Sequence, residues 1–165
     1  LNQHDERLYL LLQTICATGI RVSEHSFITV EALKCRKTTV HNKGKTRNVF
    51  FPAKLRQQLL KYCRKLNIKT GCIFITKTGK PLDRSNIWKS MKKLCRVANV
   101  SSHKVFPHNL RHLFAFTFYS MEKDVVRLAD ILGHSSIETT RMYTMTSFQK
   151  YEKTLSRMGL VKLQC

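Results

Sequence analysis

The chain has 165 residues, 42% of them hydrophobic, and carries 30 lysines and arginines against 10 acidic residues for a net charge of +20. That length fits a single core of ordinary domain size, and no apolar run reaches the ~20 residues that a membrane span needs. The positive charge is spread along the chain and points to a polyanion, most often nucleic acid.

Residue 1 is Leu and no charged, apolar leader follows it, so no signal peptide is expected, and the chain reads as a fragment of something longer. The six cysteines, Cys16, Cys35, Cys63, Cys72, Cys95 and Cys165, show no C-x-x-C pair. They are expected to be reduced thiols of a cytosolic protein, with no metal site among them.

In chain order, Leu8, Leu11, Leu12 and Ile15 stand at helical spacing and predict a helix over 5–17, which Gly19 stops. A short helix carries "RVSEHSF". "CRKTTVH" and "TRNVFF" are β-rich runs around "NKGK", a hairpin with Gly44 in its turn. Pro52 ends it, and Leu55, Leu59, Leu60 and Cys63 start another helical stripe. "CIFI" reads as a short apolar strand. From there the pattern predicts helices over 84–98, 108–121, 125–132, 136–143 and 147–158. The expected class is mostly α (α+β), one helical domain with a small antiparallel sheet.

Several strings carry chemistry. "GKT" at Lys45 lacks the first glycine of a P-loop, since Thr39 stands there, and a strand pattern replaces the required helix. No nucleoside triphosphate is implied. His108 and His112 are spaced i, i+4, but Asn109 occupies the position a metalloprotease gives to Glu, and Arg111 within the pair repels a cation. No metal or other cofactor is expected.

His108 and Arg111, spaced i, i+3 after Pro107, put an imidazole and a guanidinium on one face at a helix start, where an anion is favoured. Arg21 follows Gly19 at a helix boundary, with Glu24 three residues on to orient it. Tyr9, Tyr119 and Tyr151 lie on apolar stripes and read as core. Tyr143 has different company: Arg141, threonines on both sides, and His134 nine residues upstream.

Together "ATGIRVSE", "NKGKTR", "PHNLRH" and "LADILGHSSIETTRMYT" resemble, in order and over nearly the whole chain, the catalytic domain of the tyrosine recombinase or phage (transposon) integrase family. That resemblance implies a helical catalytic domain with a three-stranded antiparallel sheet. It makes Tyr143 the nucleophile, and sets Arg21, Arg111, His108 and His134 around the scissile phosphate. Lys43 becomes the acid that protonates the leaving 5′ oxygen, with Lys45 an alternative, and Glu24 supports Arg21. Lys45 and Arg47 are expected to contact DNA.

His25, where the family usually has an apolar residue, reads as an exposed substitution or a DNA contact. The resemblance further implies residues 1–165 as a catalytic domain without its amino-terminal core-binding domain. Residues 147–165 would be a tail helix exchanged between protomers of a tetramer on double-stranded DNA, or folded back on their own domain. The expected setting is the bacterial cytoplasm, with no membrane partner. The activity implied is strand cleavage and rejoining through a 3′-phosphotyrosine, without ATP or metal, as in integration of mobile elements. Two alternatives stay open: relaxation of DNA by a type IB topoisomerase, and a basic DNA-binding module without catalysis.

Overall fold

The computed structural model describes residues 3–42, 44–101, 103, 105–134 and 136–143. Among these residues ten elements follow one another: α1 (Gln3–Thr18), a 3-10 helix η1 (Val22–Phe27), α2 (Val30–Lys34), β1 (Lys37–Asn42), β2 (Lys45–Phe50), α3 (Ala53–Lys65), α4 (Arg84–Val97), α5 (Pro107–Glu122), α6 (Val125–Leu132) and α7 (Glu138–Arg141). Among the described residues no helix is long and apolar enough to cross a membrane.

The central helix α1 packs on α5, α3 and α4. Its buried Leu11 and Ile15 enter a core shared with Leu33, Leu59, Phe74, Ile87 and Met91. A second, smaller cluster of Ala115, Leu128 and Leu132 joins α5 to α6, and Tyr143 packs on its edge.

Local chemistry sets the helix ends that matter for the site. α1 closes on Gly19, whose φ of +65° suits a residue without Cβ and whose N–H donates to Ile15 O at 2.9 Å. α5 opens with Pro107 in its first turn, where no N–H is needed. Asp124 caps α6 by accepting from Arg127 N at 2.9 Å. α6 ends in a Schellman turn: Gly133 sits at φ +64°, with Gly133 N bonded to Asp130 O at 3.1 Å and His134 N to Ala129 O at 3.0 Å.

The hairpin forms where expected, in an antiparallel register that runs from Lys37 opposite Phe50 to Asn42 opposite Lys45. Among the described residues the sheet has two strands, not three. Residues 72–75 make only isolated bridges, Thr29 with Cys72 and Ile75 with Pro81. The backbone of this segment divides its hydrogen bonds between two partners, Ile73 N to Ile28 O at 3.1 Å and Leu82 N to Phe74 O at 3.0 Å, so no ladder extends along either. Ile73 and Phe74 are fully buried, which explains the strand-like apolar run.

Other differences are local. The predicted helix over 136–143 shortens to α7 because turns replace it at Ile137 and again at Met142 and Tyr143. Tyr9 is 49% exposed, and among the described residues the buried tyrosine is Tyr62. His25 is buried rather than exposed, its Nδ1 2.6 Å from Val22 O, because η1 turns it inward under the hairpin. Cys16, Cys35, Cys63, Cys72 and Cys95 are free thiols. The expected tail over 147–165 lies outside the described residues.

Candidate active site

Arg111 on α5 is 2% exposed, yet its charge is well placed. Nη1 donates to Gly19 O at 2.5 Å and Nη2 to Leu132 O at 2.6 Å. These carbonyls lie at the C-terminal ends of α1 and α6, where the peptide dipoles leave partial negative charge. Burial, with Arg21 and Arg47 nearby, lowers the guanidinium pKa to about 10, so it stays protonated at neutral pH.

Arg21 reaches the same place from the start of η1. Its backbone N–H donates to Glu24 Oε2 at 2.7 Å and its Nη1 to Glu24 Oε1 at 3.0 Å, while Nη2 lies 3.5 Å from Gly133 O. The i, i+3 spacing in a tight helical turn makes this double contact possible. With a side chain 33% exposed, Arg21 keeps one flank open.

Glu24 has a second arginine. Arg47 Nη2 donates to Glu24 Oε2 at 2.7 Å, between side chains that are 8% and 3% exposed. Arg47, expected to contact DNA, is folded inward beneath the hairpin. Its stem crosses Gly133 so closely that a Cβ there would lie 2.7 Å from Arg47 Cδ. Nε and Nη1 are buried with no hydrogen-bond partner among the described residues. Burial lowers the pKa of Arg47 and Glu24 opposes the shift. Arg21 and Arg47 therefore share the Glu24 carboxylate while Arg111 bonds backbone carbonyls, leaving an excess of positive charge that an anion would neutralise.

The remaining groups come from α5, the turn after α6, and α7. His134 puts Nδ1 2.8 Å from Thr140 Oγ1. Burial, and then Arg111, Arg21, Arg47 and His108, press its pKa down to about 4, so the ring is neutral at pH 7. His108 is exposed, and its pKa is lowered by partial burial, His112, Arg111 and Arg21. The rings of His108 and His112 meet edge to face at 4.3 Å, and His112 in turn contacts the Tyr143 ring at 5.2 Å. Tyr143 is half-buried; burial raises its phenol pKa and Arg111 partly opposes the rise.

Two depressions flank Arg21. One, about 430 Å³, lies between the hairpin and α6 and is lined by Arg21, Glu24, Lys45, Arg47, Gly133 and His134. The other, about 440 Å³, is lined by Arg21, Arg111, His108, Arg84, Trp88 and Phe106. Arg21, Arg111, His108, His134, Tyr143, Glu24 and Lys45 are thus gathered in one region, while Lys43 lies outside the described residues. Among the described residues no cluster of three His, Cys, Asp or Glu forms a metal cage.

Sequence reasoning missed three participants. His112 was weighed only as a metal ligand, although its position one turn after His108 placed it on the same face. The burial of Arg47 had no local signal, because Glu24 lies 23 residues away. Thr140 meets His134 across a turn, a contact that no helical spacing predicts.

A small antiparallel sheet set against helices, with arginines, histidines and a tyrosine gathered at the helix ends, is the fold this chain shares with solved tyrosine recombinase and integrase catalytic domains. The chain matches the phage integrase family model over residues 1–150 and belongs to that family. It is 32% identical over 143 residues to the tyrosine recombinase XerC of Lactobacillus delbrueckii subsp. bulgaricus, covering 81% of this chain and 48% of that protein. It is 29% identical to the tyrosine recombinase XerA of Pyrococcus furiosus, covering 95% and 56%. Among solved structures, the pre-cleavage complex of the XerH site-specific recombinase with its difH substrate superposes with a TM-score of 0.75 at 25% identity, covering 98% of this chain and 49% of that one. The chain spans about half the length of the curated relatives it matches.

Proposed function

We propose that the chain is the catalytic domain of a site-specific DNA recombinase that cleaves and rejoins strands through a 3′-phosphotyrosine. The observation that carries this reading is the convergence of Arg21, Arg111, His108, His134 and Tyr143, from four separate parts of the chain, around an uncompensated positive charge. The DNA-bound relative XerH and the net charge of +20 support double-stranded DNA as the substrate.

In the proposed reaction Tyr143 Oη attacks phosphorus, the P–O5′ bond breaks, and the 5′ oxygen takes a proton from Lys43. Arg21, Arg111 and His134 hold the non-bridging oxygens, on which charge grows in the transition state. The phenol is protonated at neutral pH, so its proton must pass to a base. His108 takes that role through His112, whose ring touches both Tyr143 and His108, so the imidazole pair accepts the proton. Attack by a 5′ hydroxyl reverses each step and releases Tyr143. The phosphodiester energy is retained in the tyrosyl bond, so rejoining consumes no ATP.

Lys45, exposed at the groove rim, contacts the DNA backbone. Arg47 serves through Glu24. The working unit is a homotetramer on DNA in the bacterial cytoplasm, with residues 147–165 passed between protomers. Leu113 and Phe116, 54% and 64% exposed on α5, support a covering segment there.

The test is a nicked suicide DNA substrate carrying the cognate site, incubated with the full-length protein. A protein–DNA adduct stable to detergent is expected from the wild type and not from Tyr143→Phe. Equal behaviour of the two would overturn the reading, and relaxation of a plasmid without the site would favour a topoisomerase.

A further inference from the structure

His134 is held to the fold at two points. Its backbone N–H completes the Schellman turn at Ala129 O, so only the side-chain torsions remain to be set. Thr140 sets them: its fully buried Oγ1 lies 2.8 Å from His134 Nδ1. The same Thr140 is built into the helix that leads to Tyr143. Its N–H donates to Ile137 O at 2.8 Å and its carbonyl accepts from Tyr143 N at 3.0 Å.

We propose that Thr140 is a positioning residue, whose hydroxyl donates to His134 Nδ1, keeps the imidazole in its Nε2–H tautomer, and ties that histidine to the turn carrying Tyr143. The proposal rests on the recombinase reading for its consequence, and on the geometry above for its content.

The chemistry allows two arrangements. A neutral imidazole has one N–H and one lone pair, and the hydrogen bond made by one nitrogen decides which the other presents. Nδ1 is taken by Thr140, so Nε2 is the nitrogen left for a ligand in the groove that His134 lines with Arg21 and Arg47. If Nδ1–H donated to the threonine oxygen, Nε2 would turn a lone pair toward the phosphate, whose oxygens only accept. When Thr140 donates, Nε2–H faces the oxyanion as a neutral donor.

Neutrality is maintained by the surroundings. Arg111 from α5, Arg21 from η1, Arg47 from β2 and His108 from α5 all disfavour a charge on this ring, and burial adds to them. A neutral ring beside three guanidiniums depends on a partner to choose its tautomer. Threonine supplies that partner without adding charge. Movement of α7 toward or away from the phosphate would also move the donor, so the nucleophile and its neighbouring donor are placed as a unit.

The experiment is long-range 15N–1H correlation of histidine-labelled full-length protein, paired with adduct formation on a suicide substrate. The wild type is expected to show His134 with a protonated Nε2 and an unprotonated Nδ1. Thr140→Val is expected to lose that single tautomer and to form adduct roughly tenfold more slowly, the loss expected from one buried hydrogen bond. Thr140→Ser restores both. An Nδ1–H tautomer in the wild type overturns the proposal, whether or not the valine variant folds. So does a wild-type rate in a folded Thr140→Val. Absence of adduct from the wild type would instead overturn the recombinase reading, and the tautomer would still be measured.

Discussion

Glu24 and Arg47 form a salt bridge of 2.7 Å between side chains that are almost fully enclosed. Removing one member of such a pair leaves a charge without solvent or partner, which costs on the order of 3–5 kcal/mol. Glu24→Gln should approach that loss, because Arg47 has no other partner among the described residues and Arg21 loses its anchor as well. Arg47→Met should cost less, since Glu24 keeps two bonds to Arg21. Urea denaturation of the two variants checks the order.

Gly19 supplies a carbonyl to Arg111 from a left-handed backbone, with Phe114 Cδ1 only 2.5 Å from where a Cβ would stand. Gly19→Ala combines the left-handed penalty with overpacking and should cost about 2 kcal/mol or more. Adduct formation should fall further than stability alone explains, because the displaced carbonyl no longer holds Arg111. Thermal melting and single-turnover cleavage measured on the same variant separate the two effects.

Arg111→Lys retains the charge but offers one ammonium where two carbonyls, at Gly19 and Leu132, now take separate N–H groups. The cleavage rate should drop about 10²–10³-fold, as for loss of an electrostatic donor in the transition state. Binding of uncleaved DNA should change little, since most of that affinity comes from the wider phosphate contacts. Filter binding beside a suicide-substrate assay reads both.

His112→Phe preserves a ring against Tyr143 and removes the nitrogens. If the imidazole pair accepts the tyrosine proton, the rate should fall by about 10²-fold, the lower end for general base catalysis. Raising the pH should recover part of it as the phenol ionises by itself. A flat response to pH would place His112 in packing alone.

The depressed histidines give acid lability with a definite sign. His134, with a folded pKa near 4, binds fewer protons than the unfolded chain between pH 4 and the ordinary histidine range near 6.5. Stability therefore rises with pH across that window and is lost as pH falls through it. His108 and His112 are shifted in the same direction and add to the effect. Urea midpoints between pH 4 and 7 should decline toward acid, and a His134→Asn variant should show a shallower slope.

The sequence by itself determined the hairpin, most of the helices among the described residues, the glycine turns at Gly19 and Gly44, and the order of Arg21, His108, Arg111, His134 and Tyr143. Each of these depends on neighbours within a few residues: period, caps, or the freedom of a residue without Cβ. The tertiary structure alone decided that the apolar run at 72–75 threads the core without a ladder, that Arg47 turns inward to Glu24, that His112 rather than His108 contacts Tyr143, and that Thr140 holds His134. These last relationships depend on which helix ends converge, and on how burial strips water from charges that local spacing would leave exposed.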